Sequence, residues 1–401
     1  MKPIFSSVDL APRDPILGLN ETFNADPRPG KVNLGVGVYY NEQGRIPLLE
    51  CVRTAEQDRL KSPAPRGYVQ IEGPPAYAAQ VQRLLLGTES ELIASGRCVT
   101  AEALGGTGAL RIGADLIKRL NPRAAVWISE PSWENHRALF EAAGFEVHSY
   151  PYYDPATHGL NFPRMLAALE RADEGDLIVL HACCHNPTGV DPDATQWKQI
   201  VDCVRRRKLV PFLDIAYQGF GEGLEPDGAV VRLVAAAGID ALIASSFSKS
   251  FSLYGERVGA LTLLTESRDQ SERVLSQLKR VIRTNYSNPP THGAALVTAV
   301  LSSAELRKQW ESELTGMRER IRSMRERLVE GLAQRRVARD FSFVRRQRGM
   351  FSYSGLTVAQ VELLREQHGV YAVSTGRICV AALNAGNIDG VCDAIAAVLK
   401  S

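Results

Sequence analysis

Between residues 124 and 246, five short apolar runs alternate with helix-period segments, and that rhythm constrains the fold more than any other feature of the chain. The runs cover 124–129, 144–150, 177–181, 210–214 and the stretch that carries Ile243. Amphipathic segments at 133–143, 163–172, 193–207 and 229–237 separate them. This order predicts an α/β fold with a mostly parallel sheet covered by helices on both faces. In such a sheet the residues just past the strands gather at one edge, where ligands bind. Polar clusters follow three of the runs, at 181–186, 214–217 and 246–249, and are predicted to converge on one cleft.

Lys249 lies in a polar island between the apolar runs 239–243 and 260–264. Ser246, Ser248 and Arg257 stand close to it in sequence and suit an anion. A lysine drawn out of water there gains the lowered pKa that a Schiff-base amine needs. Upstream, Gly105-Gly106-Thr107-Gly108 follows an apolar run and opens a helix-period segment containing Leu110, Ala114 and Ile117. Glycines at a helix start turn bare N–H groups towards an anion, with the helix dipole assisting. The spacing is neither that of a dinucleotide fingerprint nor that of a P-loop, because no Gly-Lys-Ser/Thr follows.

The 401 residues predict two domains, and 47 basic against 45 acidic side chains leave no global field for nucleic acid or an anionic membrane. Seven cysteines without a C-x-x-C pair argue against a disulfide framework or a metal site and fit a reducing cytoplasm. Cys183 and Cys184 read as small buried hydrophobes. No apolar stretch is long enough for a membrane span, and no signal segment opens the chain. Residues 1–30 read as an extended Pro-rich arm with one helical stretch at 16–23, and 32–40 as a strand interrupted by glycines. Beyond a charged helix at 304–334, strands near 341–344, 350–353, 370–373 and 378–380 alternate with helices at 358–368 and 388–400, a smaller α+β unit. The interleaved glutamates of the charged helix favour a solvated face over a basic binding patch.

A phosphate would satisfy Gly106, Thr107, Ser246, Ser248 and Arg257; Asp214 at a buried strand end needs a cationic partner; Lys249 must be neutral to react. Phosphate, ring cation and aldehyde together describe pyridoxal 5'-phosphate. Three motifs, Ser246-Phe247-Ser248-Lys249 with Arg257, 181–189 and 214–220, resemble the class I pyridoxal-phosphate aminotransferases, specifically their aspartate/aromatic branch. The turn 285–290, Asn-Tyr-Ser-Asn-Pro-Pro, adds to the likeness, which covers nearly the whole chain.

The resemblance implies a fold-type I homodimer with shared active sites. It implies a large domain over 41–315, with 1–40 and 316–401 forming the arm and the small domain. By the same likeness Lys249 holds the cofactor and then shuttles a proton, Asp214 keeps the pyridine nitrogen protonated, and His181 supports it from behind. Asn186 and Tyr217 bond the phenolic oxygen, Trp133 stacks on the ring, and Tyr68 reaches the partner subunit's phosphate. Arg377 forks onto the substrate α-carboxylate with Gly37 close by, and Arg283 crosses the interface to a distal carboxylate. Tyr40 and Ile46 resemble the aromatic members, whereas Thr107 and Asn288 look aspartate-like. The implied activity moves the amino group of tyrosine, phenylalanine or aspartate to 2-oxoglutarate by a ping-pong route. An aspartate aminotransferase is the nearest alternative. A non-catalytic cofactor-binding sensor is remote, because the chain has no spare length for a helix-turn-helix.

Overall fold

A computed structural model of the chain describes residues 3–14, 16–61, 63 and 65–400. Seven strands form the main sheet: β1 (Cys98–Leu104), β2 (Val126–Glu130), β3 (Val147–Pro151), β4 (Leu177–His181), β5 (Val210–Ile215), β6 (Ala241–Ser246) and β7 (Val258–Leu264). Their order is β1-β7-β6-β5-β4-β2-β3. Only β7 runs antiparallel to its neighbours, so the sheet is mostly parallel, as the alternation predicts. β4, β6 and β7 are buried along their whole length, as expected for strands covered on both faces.

The helices between the strands keep the predicted order, with ends shifted by a few residues. Asp193 caps Ala194–Arg207 through a capping box with Gln196, which fixes where that helix starts. The helix Glu134–Ala142 begins just after Trp133, which takes the N-cap position. Three departures from the expected elements have local causes. Of the stretch 32–40 only Val32–Asn33 pairs, in parallel, with Val370–Tyr371. Beyond it the Tyr39 N–H goes to the Tyr254 hydroxyl at 2.9 Å, not to a strand ladder. The strand expected at 341–344 is a 3-10 turn, Ser342–Arg346, because the Asp340 carboxylate accepts from both the backbone and the hydroxyl of Ser342 and turns the chain. At the N-terminus the helix spans Leu17–Ala25, beginning one residue later than expected.

The charged helix does form, as a single span of 31 residues, Ala304–Gln334, about 46 Å long. Trp310, Leu314, Met317, Ile321, Met324 and Leu328 bury its apolar stripe at steps of three and four. Trp310 also stacks on Phe251 at 4.6 Å and donates its indole N–H to the Ser250 carbonyl at 2.7 Å, which clamps the loop just after Lys249. None of the described helices is long and apolar enough to cross a membrane.

Candidate active site

Strand register brings the polar clusters together. β4 and β5 pair so that His181 lies opposite Asp214, and β5 pairs with β6 so that Asp214 lies opposite Ala244, two residues before Ser246. At the other side β1 ends at Leu104, opposite Val258. The Gly105 N–H therefore meets the Arg257 carbonyl at 3.0 Å. These ends open into one pocket of about 230 Å³, walled by both strand-end residues and the C-terminal strands.

One side of the pocket is an anion cradle. Gly105 has φ +68°, a left-handed backbone that side chains disfavour, and a Cβ there would run into the Arg257 guanidinium. A Cβ on Gly106 would press on Ser246 at 3.2 Å. The cradle is thus open only because these two residues are glycine. Ser248 accepts from Arg257 at 3.3 Å and lies 3.2 Å from the Ser246 hydroxyl. The 16-residue helix Gly105–Leu120 starts here, with its N–H groups and positive dipole end towards the same space.

The floor holds Asp214 and Lys249. Asp214 is buried, and His136 Nε2 lies 3.0 Å from its Oδ2. The Ser132 hydroxyl holds the other ring nitrogen of His136 at 2.9 Å. Burial pushes the Asp214 carboxyl up, but the hydrogen bond to His136 and the nearby charge of Lys249 outweigh it and leave the pKa below the usual range. Lys249 Nζ sits 4.8 Å over the Tyr217 ring. Burial lowers its pKa to about 8, against the pull of Asp214 and with help from Arg257. His181 is buried with neither ring nitrogen hydrogen-bonded, and burial together with the nearby His136 lowers its pKa to about 3. It is a neutral wall of the pocket, and the hydrogen bond behind Asp214 comes from His136.

Opposite the floor, Arg377 is 1% exposed. Its guanidinium donates to Asn186 Oδ1 at 3.0 Å and to the Gly35 carbonyl at 2.8 Å, and packs 4.4 Å over the Phe351 ring. Its Nε is buried without a hydrogen-bond partner. Gly37 lies close because a Cβ there would stand 2.7 Å from Phe351. A carboxylate would find a fork-shaped, desolvated donor here.

Of the residues expected at the site, Gly37, Gly106, Thr107, Trp133, His181, Asn186, Asp214, Tyr217, Ser246, Ser248, Lys249, Arg257 and Arg377 line this one pocket. Four others do not. Tyr68 is 96% exposed, Ile46 is 48% exposed, and Tyr40 borders a neighbouring cleft. Arg283 is exposed on the helix Arg268–Asn285 and donates to the Ser287 hydroxyl. Residues not anticipated from sequence include His136, Tyr254, Phe351 and Ile16. His136 stands three residues after Trp133, whose ring it meets edge-on at 5.3 Å, and that spacing was a readable signal.

Comparison with known proteins agrees with this geometry. The family model for aminotransferases of class I and II matches residues 29–395. The aspartate aminotransferase of Pseudomonas aeruginosa is 64% identical over 396 residues, covering 99% of this chain and 100% of that one. The aromatic-amino-acid aminotransferase of Escherichia coli is 48% identical, again over 99% and 100% of the two chains. Among solved structures, the aromatic-amino-acid aminotransferase of Burkholderia pseudomallei, covalently bound to pyridoxal phosphate, superposes with a TM-score of 0.97 at 67% identity, covering 99% of this chain and 100% of that one. With cradle, buried aspartate, lysine and arginine all in one pocket, the chain belongs to the class I and II aminotransferase family.

Proposed function

We propose that the protein is a pyridoxal-phosphate-dependent aminotransferase that accepts aromatic and dicarboxylic amino acids, with 2-oxoglutarate as amino acceptor. The observation that carries this reading is the joint presence of Lys249, Asp214 and the Gly105–Arg257 cradle around one pocket. The residues fit the cofactor. His181 offers two unpaired ring nitrogens, and the glycine cradle leaves room that any side chain would close. Gly106, Thr107, Ser246, Ser248 and Arg257 would hold the phosphate, Asp214 the ring nitrogen, Asn186 and Tyr217 the phenolic oxygen, and Trp133 a ring face.

When bound, the cofactor supplies an aldehyde and an electron-withdrawing ring. Asp214, kept anionic by His136, favours a proton on the ring nitrogen beside it. Lys249 is close enough to neutral at physiological pH for its Nζ both to attack a carbonyl carbon and to carry a proton to and from a substrate Cα. Arg377 would orient the substrate by its α-carboxylate, with a buried Nε that no other group engages. One site that must take an amino donor and then an oxo acid implies ping-pong turnover.

Substrate range rests on Tyr40, Ile46 and Arg283. Tyr40 and Ile46 offer apolar area to a ring, worth about 25 cal/mol per Å² buried. Arg283 would answer a distal carboxylate from a second subunit. The exposure of Tyr68 and Arg283, and of Ile4, Phe5, Val8 and Leu10 on the N-terminal arm, supports a homodimer that covers them. The large unit would span 41–315, with the small unit built from both chain ends. Seven buried, unpaired cysteines fit a reducing cytoplasm. A plain aspartate aminotransferase is the second reading, favoured by the Pseudomonas relative. The ratio of kcat/KM for phenylalanine and aspartate separates them: comparable values support the broad reading, and a preference for aspartate of about a thousandfold or more overturns it.

A further inference from the structure

The long helix carries a charge pattern that the pocket does not use. Arg318, Arg322 and Arg325 follow each other at steps of four and three, and so share one helix face. That face meets Arg345, Arg346 and Arg348, and with the loop 220–222 they enclose a cleft of about 460 Å³. Six guanidinium groups line it against two carboxylates, Glu222 and Glu326, in a chain whose formal charge is only +2. Glutamates do interleave along the helix, yet folding turns the arginines to one side and adds three more from the segment beyond Phe341.

The charges in this cleft are under-compensated. Glu222 is shared between Arg322 at 2.8 Å and Arg348 at 3.2 Å, Glu319 between Arg322 at 3.2 Å and Arg318 at 3.6 Å, and Glu326 is taken by Arg345 at 2.5 Å, so three carboxylates answer six guanidinium groups. The hydrogen bond of Arg346 goes to the Thr157 carbonyl at 3.5 Å. Arg318 donates to the Gly219 carbonyl at 2.9 Å and the Thr315 hydroxyl at 3.2 Å, while its buried Nε makes no hydrogen bond and faces Glu319 only at 3.6 Å. Arg325 is 3% exposed, and its bonds go to the carbonyls of Val344, Gly349 and Phe351. Burial accordingly lowers its pKa to about 10. A buried guanidinium facing carbonyls alone, with five more cations around the same cleft, is costly unless an anion joins it. Several planar forks around one cleft match tetrahedral oxyanions that can accept two bonds each, and a single charge would leave most of them unanswered.

We propose that this cleft binds a compact phosphate-class polyanion, either a free oligophosphate or the phosphate chain of a nucleotide. It is a different place from the catalytic cradle, and the two share a wall: the Phe351 carbonyl accepts from Arg325 at 2.6 Å while the Phe351 ring lines the pocket.

Calorimetric titration of the cofactor-loaded enzyme with tripolyphosphate, and in parallel with ATP, both without magnesium, tests it. One saturable site is expected, weakening as potassium chloride is raised. The variant R322Q/R346Q/R348Q should lose at least about tenfold in affinity, whereas R205Q/R206Q, at another exposed basic run, should bind as the parent does. The single variants R346Q and R348Q, both at the rim, guard against misfolding of the triple variant and should each weaken binding. Equal affinity for tripolyphosphate and ATP identifies the phosphate chain as the ligand. Tighter ATP binding that still depends on these arginines identifies a nucleotide. No saturable heat with either probe, or affinity unchanged in all three variants, overturns the proposal.

Discussion

The two halves of the pocket are built in different ways. The cofactor half rests on strand ends: His181, Asp214 and Ser246 are fixed by the register of β4, β5 and β6, and Gly105 by its hydrogen bond across to Arg257. Each belongs to a buried sheet within one chain. The residues proposed to select substrate are placed differently: Ile46 and Arg283 lie on exposed segments and Tyr40 borders a separate cleft, so none of them lines the pocket of its own chain. Core packing secures the cofactor half, while the selectivity proposed above would depend on surface that a second copy completes. Lesions in the first half should therefore stop every substrate, and lesions in the second should discriminate between them.

Lys249→Ala carries the largest expected effect. Turnover with phenylalanine and with aspartate should fall alike, by about four orders of magnitude, and the purified protein should lose the visible absorbance of a covalently held cofactor. A drop confined to one substrate would break the division between the halves. Arg283→Ala comes next: kcat/KM for aspartate should fall about thirtyfold, the cost of roughly 2 kcal/mol for removing a charge partner, with phenylalanine nearly unaffected. Equal losses on both substrates would contradict its selective role.

His136→Leu tests the floor in a finer way. Without the His136 bond the Asp214 carboxyl loses the main influence holding it below its usual range. Its ionisation stabilises the fold above an unfolded pKa of about 4, and that contribution is lost as pH falls through the folded value. Removing His136 should raise the folded value, so the acid limbs of both activity and stability should move to higher pH. Turnover near neutrality should fall about tenfold, and His136→Gln, which keeps a donor, should recover part of both effects. An unmoved acid limb in His136→Leu would leave His136 as packing alone. A smaller effect concerns Lys249, whose neutral fraction grows as pH rises through about 8. Cofactor reloading of the apoprotein, followed by its visible absorbance, should quicken across that range and level off above it. A flat profile from pH 7 to 9 would mean that Lys249 is not lowered.

Much of the first half was legible in the sequence because strand ends leave a mark: an apolar run, then a polar cluster. Lys249, Asp214 and Asn186 each follow such a run, and a sheet edge gathers them whatever their separation along the chain. His136 escaped notice because it is a lone histidine inside a helix, where the helical step from Trp133 is a weaker signal than a strand end. The stretch 341–344 looked like a strand from its apolar residues, yet the side chain of Asp340 outcompeted the ladder and made a turn. The arginine cleft was hidden for another reason. Its charges come from a helix and from a segment beyond that helix, and along the chain interleaved glutamates dilute them. The selective residues were legible only by likeness to relatives, since nothing in their own segments points to a pocket they do not line in their own chain.

Subunit mixing tests most directly whether the selective half acts across chains. Lys249→Ala and Arg283→Ala proteins, each nearly inactive on aspartate, are mixed under conditions that exchange subunits, and aspartate turnover is followed. If Arg283 serves the partner's pocket, each hybrid dimer pairs an intact Lys249 with an intact Arg283 at one of its two sites. Aspartate activity should then return to a substantial fraction of the parent's. If Arg283 serves its own chain's pocket, no hybrid site holds both, and activity staying at the level of the unmixed variants would contradict the shared site.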